Sequence, residues 1–392
     1  MSEPLAACPP SGLGVAVSRR TFLSNTCQAL GVGALMGGAG GLLAACGGST
    51  STQPKGNSAA ADSGVTLQDV KNAKGTVKVL GWQYYQVPQE NTASVGSHWG
   101  YLGNNEGTIT KTTQRGAFDL LTILAGYDPE LLAAGRVIPT NPDLIPNWKN
   151  INPVFRNSPT LRHNGQLYSV PFQWGYGYLE WDTRHTTRPT SLADLMSPKL
   201  RGRVGLPDDP YGTMTTFAVL LGFKTPQQLT RSEFNKLIAT LDAFRPQVRV
   251  FHPYGEEPAL LAAGDIYVDF PSYGPSFLTA DKAGAKMEIE YFGSWSYVDC
   301  LIMVRGATDV PQALAFMNHC LEPSVQEAVV RQGAAFPVVD AAVSAVPSQL
   351  RYQSAAAVLA KAPLEPGVPV TDAHGYVPFS EWLTAWENYK AL

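Results

Sequence analysis

In the stretch GSWSYVDCLIMV, Gly293 to Val304, two aromatic residues and an aspartate lead into a run of strand-forming apolar residues. Burying the Asp299 carboxylate is costly unless a charged or hydrogen-bonding group meets it. Taken alone, the residue could simply cap a helix or bind backbone amides. Other chemistry finds little support. The six histidines (His98, His163, His185, His252, His319, His374) are scattered, with neither HExxH nor paired spacing, so a metal centre or a histidine-based nucleophile is not indicated. GSWSY fails the G-x-S-x-G pattern because its fifth residue is Tyr297, and neither a Walker loop nor a dinucleotide fingerprint occurs. The sequence therefore implies no enzyme, no cofactor and no metal site.

The elements that must position Asp299 alternate from about Gly75 onward. TVKVLGW (Thr76–Trp82), FDLLTI (Phe118–Ile123), GRVGLPDD, DIYVDF and YVDCLIMV read as strands. YDPELLAAG reads as a helix with Asp128 as cap and Gly135 as stop, and SLADLM as a helix capped by Ser191. TMTTFAVLLG is an apolar helix, VPQALAFMNHCL another helix, and SEFNKLIATLDAF is amphipathic, with Phe234, Leu237, Ile238 and Leu241 on one face. This order predicts an α/β fold with mostly parallel sheets. Ligands of open α/β sheets bind beyond the carboxyl ends of strands. That rule selects GWQYYQ, LAGYD, PDDPYG and FPSYG, which are rich in aromatic and acidic residues.

Composition is that of a soluble globular chain, 44% hydrophobic and 16% charged, with 29 Lys plus Arg against 32 Asp plus Glu. Basic blocks are missing, which argues against nucleic-acid binding. At the N-terminus, SRRTFL (Ser18–Leu23) places Arg19 and Arg20 ahead of a short Gly/Ala-rich apolar stretch ending in LAAC, Leu43 to Cys46. The stretch reads as a secretory segment, and LAAC resembles a bacterial lipobox. The resemblance implies twin-arginine export of residues 1–45 as signal, cleavage before Cys46 and lipid attachment there. Residues 46–74 are too polar and Gly/Ser/Ala-rich to pack, and are expected to form a flexible tether. Cys300 and Cys320 would remain in the mature body, as a disulfide or as two buried thiols.

The ordered series VKVLGWQYY, GAFDLL, YSVPFQWG, TSLADLMSPKLRGRVGLPDD, LLAAGDIYV, YVDCLIM and ALAFMNHCLEPSVQEAVV resembles the bacterial extracytoplasmic solute-binding proteins of the spermidine/putrescine ABC-transporter class. The resemblance runs from about Thr76 to Leu392. It implies the type II periplasmic-binding-protein fold, two α/β lobes closing on a small molecule: residues 76–173 with 298–345, and 174–297 with 346–392. It also implies delivery of a small cationic ligand to a membrane permease and its ATPase by a lipid-anchored, monomeric, extracytoplasmic protein. Residue by residue, Trp82 and Tyr85 match the family's site after the first strand, with Tyr84 where an acid is common. Asp209 matches an acid of the second lobe, and Gly212 replaces a further acid. Asp299 matches the aspartate that holds an ammonium, Tyr297 the aromatic two residues before it, and Phe270 or Tyr273 stands for a family tryptophan. Leu124 and Gly126 replace an expected serine and tyrosine. An alkyl ammonium would give Asp299 a charge-assisted hydrogen bond, Trp82 and Tyr297 would flank the methylenes, and Asp209 would hold a second cationic end. Alternatives are another solute in the same fold (an amino acid, a quaternary amine or ferric iron) and, from a different class, a secreted hydrolase.

Overall fold

The computed structural model describes residues 64–392 apart from 103–106, 126–127, 292, 333–335, 353, 363 and 365–366. Arg19, Arg20, Cys46 and Gly126 lie outside the described residues.

Thirteen strands are described: β1 (Gly75–Gly81), β2 (Val95–Tyr101), β3 (Leu120–Leu124), β4 (Arg162–His163), β5 (Gln166–Leu167), β6 (Ser169–Tyr176), β7 (Tyr178–Asp182), β8 (Val204–Pro207), β9 (Val248–His252), β10 (Val268–Ser272), β11 (Met287–Glu290), β12 (Ser296–Met303) and β13 (Phe336–Pro337). Apart from the β4–β5 hairpin they form two sheets, ordered β13-β6-β12-β3-β1-β2 and β11-β7-β10-β8-β9. The chain leaves the first sheet after Tyr176, enters the second at Tyr178, and returns between Glu290 and Ser296. The lobe edges expected at Trp174 and Tyr297 therefore fall inside strands of the first sheet.

The expectation of mostly parallel sheets needs correction, because both are mixed. β1 runs parallel to β2 and β3, but β12 is antiparallel to β3 and β6. β8 runs parallel to β9 and β10, but β7 is antiparallel to β10 and β11. The reason lies in the crossings. β7 and β12 arrive from the other sheet, so each starts at the edge where its neighbours end and runs against them. The carboxyl ends of β1, β3, β8, β9 and β10 consequently share that edge with the start of β12.

Local sequence explains the flanking helices. Pro210–Leu220 is buried along nearly its whole length and begins at Asp209 as N-cap. Arg231–Phe244 carries a capping box, Thr230 with Glu233, and buries Phe234, Leu237, Leu241 and Phe244, with Ile238 half-buried. Ser191 caps Leu192–Leu195 through the Asp194 amide, as its position suggested. The C-terminal helix Phe379–Lys390 buries Trp382 and Trp386, and Trp386 Nε1 donates to Asp208 at 2.8 Å. The end of the expected tether is not a tether: Leu67–Asn72 is a helix with a Thr66–Asp69 capping box and buried Val70. A short capped turn with one apolar anchor outweighs the polar composition there. Cys300 and Cys320 are buried free thiols. No helix among the described residues is long and apolar enough to cross a membrane.

Candidate functional site

Alternate residues of a strand share one face, so Trp295, Tyr297 and Asp299 point the same way at the start of β12. All three border a cavity of about 290 Å³ at the edge shared by the two sheets. The β12–β6 register shifts between Asp299, opposite Gln173, and Cys300, opposite Pro171. Pro171 has no amide hydrogen for the ladder, and a bulge beside it re-aims the neighbouring side chains. The extra residue, Phe172, packs edge-on against Tyr85 with ring centroids 5.4 Å apart. Gly175 lies opposite Tyr297, and a Cβ on it would stand 2.5 Å from the Tyr297 hydroxyl oxygen. Only glycine lets that ring cross the strand.

Asp299 is 5% exposed. Its hydrogen bond among the described side chains comes from the Tyr85 hydroxyl. Burial pushes its carboxyl up to about 7, with the Tyr85 hydroxyl pulling the other way. Around it, Trp82 and Tyr84 stack at 6.0 Å, and Tyr84 meets Tyr85 edge-on at 4.9 Å. Trp82, after β1, meets Tyr254, after β9, edge-on at 6.0 Å, so the loops of the two sheets touch. Tyr254, Tyr273 and Tyr297 continue this aromatic wall at 5.6 and 5.3 Å. Trp295 packs near Tyr273 and Tyr211 and donates to Thr216 at 3.0 Å.

The opposite wall belongs to the second sheet. Asp209 caps its helix, accepting from the amides of Tyr211 (3.1 Å) and Gly212 (2.9 Å) and from the Tyr254 hydroxyl. Gly212 is required there, since a Cβ would lie 2.6 Å from the Tyr273 hydroxyl. Beside it, Glu257 and Asp269 border the same cavity. Asp269 accepts from His252 at 2.8 Å and from Ser272 at 2.7 Å. Burial works against a charge on His252, but Asp269 holds its proton, raising it to about 9. Fully buried Glu180 lies 2.8 Å from the Ser272 hydroxyl oxygen and accepts from Ser276 at 2.9 Å, and burial together with Asp269 drives its carboxyl upward.

Of the residues selected from sequence, Trp82, Tyr84, Tyr85, Asp209, Tyr273, Tyr297, Asp299 and Leu124 border the cavity. Phe270 does not: it is 1% exposed and packs on Phe217 and Phe244 in the lobe core, because it points to the face of β10 opposite Asp269. Tyr254, Glu257, Asp269, Ser276 and Trp295 were not selected. The rule of strand carboxyl ends would have found Tyr254 and Glu257 had VRVFH been read as a strand. Trp295 was discernible from its two-residue spacing to Tyr297. Among the described residues no group of three or more His, Cys, Asp or Glu is arranged to hold a metal ion.

Two mixed α/β lobes with an aromatic, acidic cavity between their sheets define a solute-binding architecture. The profile of the bacterial extracellular solute-binding protein family matches residues 104–360, and the chain belongs to that family. It is 24% identical over 234 residues to the putrescine-binding periplasmic protein PotF of Escherichia coli, a match covering 53% of this chain and 61% of the relative. A second relative, the putrescine-binding periplasmic protein SpuD of Pseudomonas aeruginosa, is 24% identical over 60% of this chain and 68% of its own. Among solved structures, the TpPotD lipoprotein of Treponema pallidum superposes with a TM-score of 0.67 at 17% identity, covering 80% of this chain and 99% of that one. That likeness establishes the type II periplasmic-binding-protein fold.

Proposed function

We propose that this protein is the binding subunit of an ABC importer and captures a small aliphatic amine, putrescine or a close relative, between its lobes. The observation that carries the reading is the cavity lining. It combines four carboxylates with seven aromatic rings, and no lysine or arginine is among the described residues there. Such a wall attracts an alkyl cation and repels anions. The putrescine-binding relatives support the same ligand class. In this reading Asp299 takes an ammonium, Trp82, Tyr84, Tyr85, Tyr273 and Tyr297 sheath the methylenes, and Asp209 shapes the opposite wall. The lobes, between which the chain crosses at residues 176–178 and again at 290–296, close on the amine, and the closed form is recognised by a permease coupled to an ATPase. Twin-arginine export through Arg19 and Arg20, with lipid on Cys46 of a monomeric extracytoplasmic protein, completes the proposal. Cys46→Ala should then release the protein from membranes. The test of function is mass spectrometry of small molecules freed by denaturing the purified protein, with calorimetry against putrescine, spermidine, amino acids and ferric iron. An amine is expected. Binding of an amino acid or iron with no response to amines would overturn the reading.

A further inference from the structure

We infer that Glu257, rather than Asp209, is the side chain that holds the far ammonium of a diamine, so that the site selects for a second positive charge. The inference rests on the amine reading above. Asp209 is already committed: its oxygens take two amides and a tyrosine hydroxyl. It also sits at the N-terminus of an eleven-residue helix, whose partial positive charge offsets its own. The neighbouring wall is different. A single imidazole, His252, hydrogen-bonds to Asp269 at 2.8 Å and stands 3.9 Å from Glu257, and Glu180 joins Asp269 through the shared Ser272 hydroxyl. Even with Glu180 neutral, one imidazolium faces two carboxyl groups, Asp269 and Glu257.

Hydrogen counting locates the deficit. Ser272 lies 2.8 Å from Glu180 and 2.7 Å from Asp269, and Ser276 lies 2.9 Å from Glu180 while also meeting Glu257. Two hydroxyl protons serve four contacts to carboxylate oxygens. A proton retained on Glu180, which does not border the cavity, supplies one more contact through Ser272 to Asp269. The Ser276 hydroxyl then serves Glu180, and Glu257 is left short of a donor. Its other donors are the Gly255 amide at 2.8 Å and its own amide. Glu257 is 8% exposed, and it borders the cavity that Asp299 also borders. Burial, with Asp269 beside it, favours the protonated form of Glu257 in the empty cavity. An ammonium arriving from the cavity supplies both the missing donor and the missing charge.

The test compares wild type, Glu257→Gln and Asp209→Asn by calorimetry with 1,4-diaminobutane and n-butylamine, alongside unliganded melting curves. Glu257→Gln should weaken the diamine about tenfold to a hundredfold, the range for a hydrogen bond to a charged group, and move butylamine by less than about twofold on the same scale. Asp209→Asn preserves the cap; removing one cavity carboxylate should weaken both amines alike, without the selective loss of the diamine expected of Glu257→Gln. A diamine-selective loss in Asp209→Asn, an equal loss of both amines in Glu257→Gln, or an unchanged diamine affinity in it would each overturn the inference. Silence of the wild type toward both amines would instead bring down the amine reading, and the assignment of Glu257 with it.

Discussion

Two buried aspartates bracket β3, and they are treated in opposite ways. Asp119 immediately precedes the strand and is 2% exposed; its oxygens accept from the Lys78 amide (2.9 Å), the Thr308 amide (2.8 Å) and the Thr308 hydroxyl (3.0 Å). Asp299 pairs with Leu124 at the strand's other end, is 5% exposed, and has the Tyr85 hydroxyl against it. Burial costs both, yet backbone donors offset it at Asp119, while Asp299 stays under-satisfied with its carboxyl raised to about 7. An aspartate that closes a loop fills its hydrogen-bonding capacity from the fold itself. Asp299 instead leaves capacity open toward the cavity, which is what the proposed ligand role requires.

Exchanging each aspartate for asparagine should break the comparison cleanly. Asp299→Asn should lower affinity for a small amine at least about a hundredfold, because removing one partner of a buried charge pair costs about 3–5 kcal/mol. Asp119→Asn should leave affinity unchanged and lower stability by about 1–3 kcal/mol, since the new amide turns donors against donors. Calorimetry with thermal melting separates the two outcomes. Comparable affinity losses in both variants would show that Asp299 acts only through the fold.

The next effect is on the unliganded protein and has a definite sign. A folded-state value raised from 3.8 to about 7 means that Asp299 holds its proton more tightly in the native state than in the unfolded chain. Its favourable contribution is therefore full below about 3.8 and is lost as pH rises to about 7, a change on the order of 4 kcal/mol. Asp299→Asn should remove this contribution, so the variant should outlast wild type at pH 8 by more than at pH 5. Denaturant melts at the two pH values test it, and a wild-type-minus-variant difference independent of pH would contradict it. A smaller effect belongs to the opposite wall. Asp209→Ala deletes a helix cap and should cost about 1 kcal/mol of stability, visible as a modest fall in the urea midpoint.

The sequence exposed most of this architecture, and unevenly. Strand and helix identities followed from patterning at β1, β3, β12, Pro210–Leu220 and Arg231–Phe244, where periodicity and caps agree. The direction of β7 and β12 was not visible, because it depends on where the chain crosses between sheets rather than on local residues. Asp299 and Tyr297 were found through a resemblance supported by two-residue spacing. Phe270 was misassigned because neighbours in a strand face opposite ways, and only the register shows that Asp269 faces the cavity. The His252–Asp269–Glu180 network joins residues from three strands far apart in the chain, a juxtaposition that one-dimensional patterning does not carry.

The central claim, that Asp299 must ionise to hold a cation, is tested most directly by measuring putrescine affinity by calorimetry between pH 5 and 8.5. The ligand amines stay protonated across that range, with values near that of lysine at about 10, so the dependence belongs to the protein. Affinity should rise by up to about tenfold per pH unit for the one Asp299 proton, flatten as pH nears about 7, level off above it, and be accompanied by proton release on the acid side. An affinity that is flat from pH 5 to 7, with no proton released, would contradict the account.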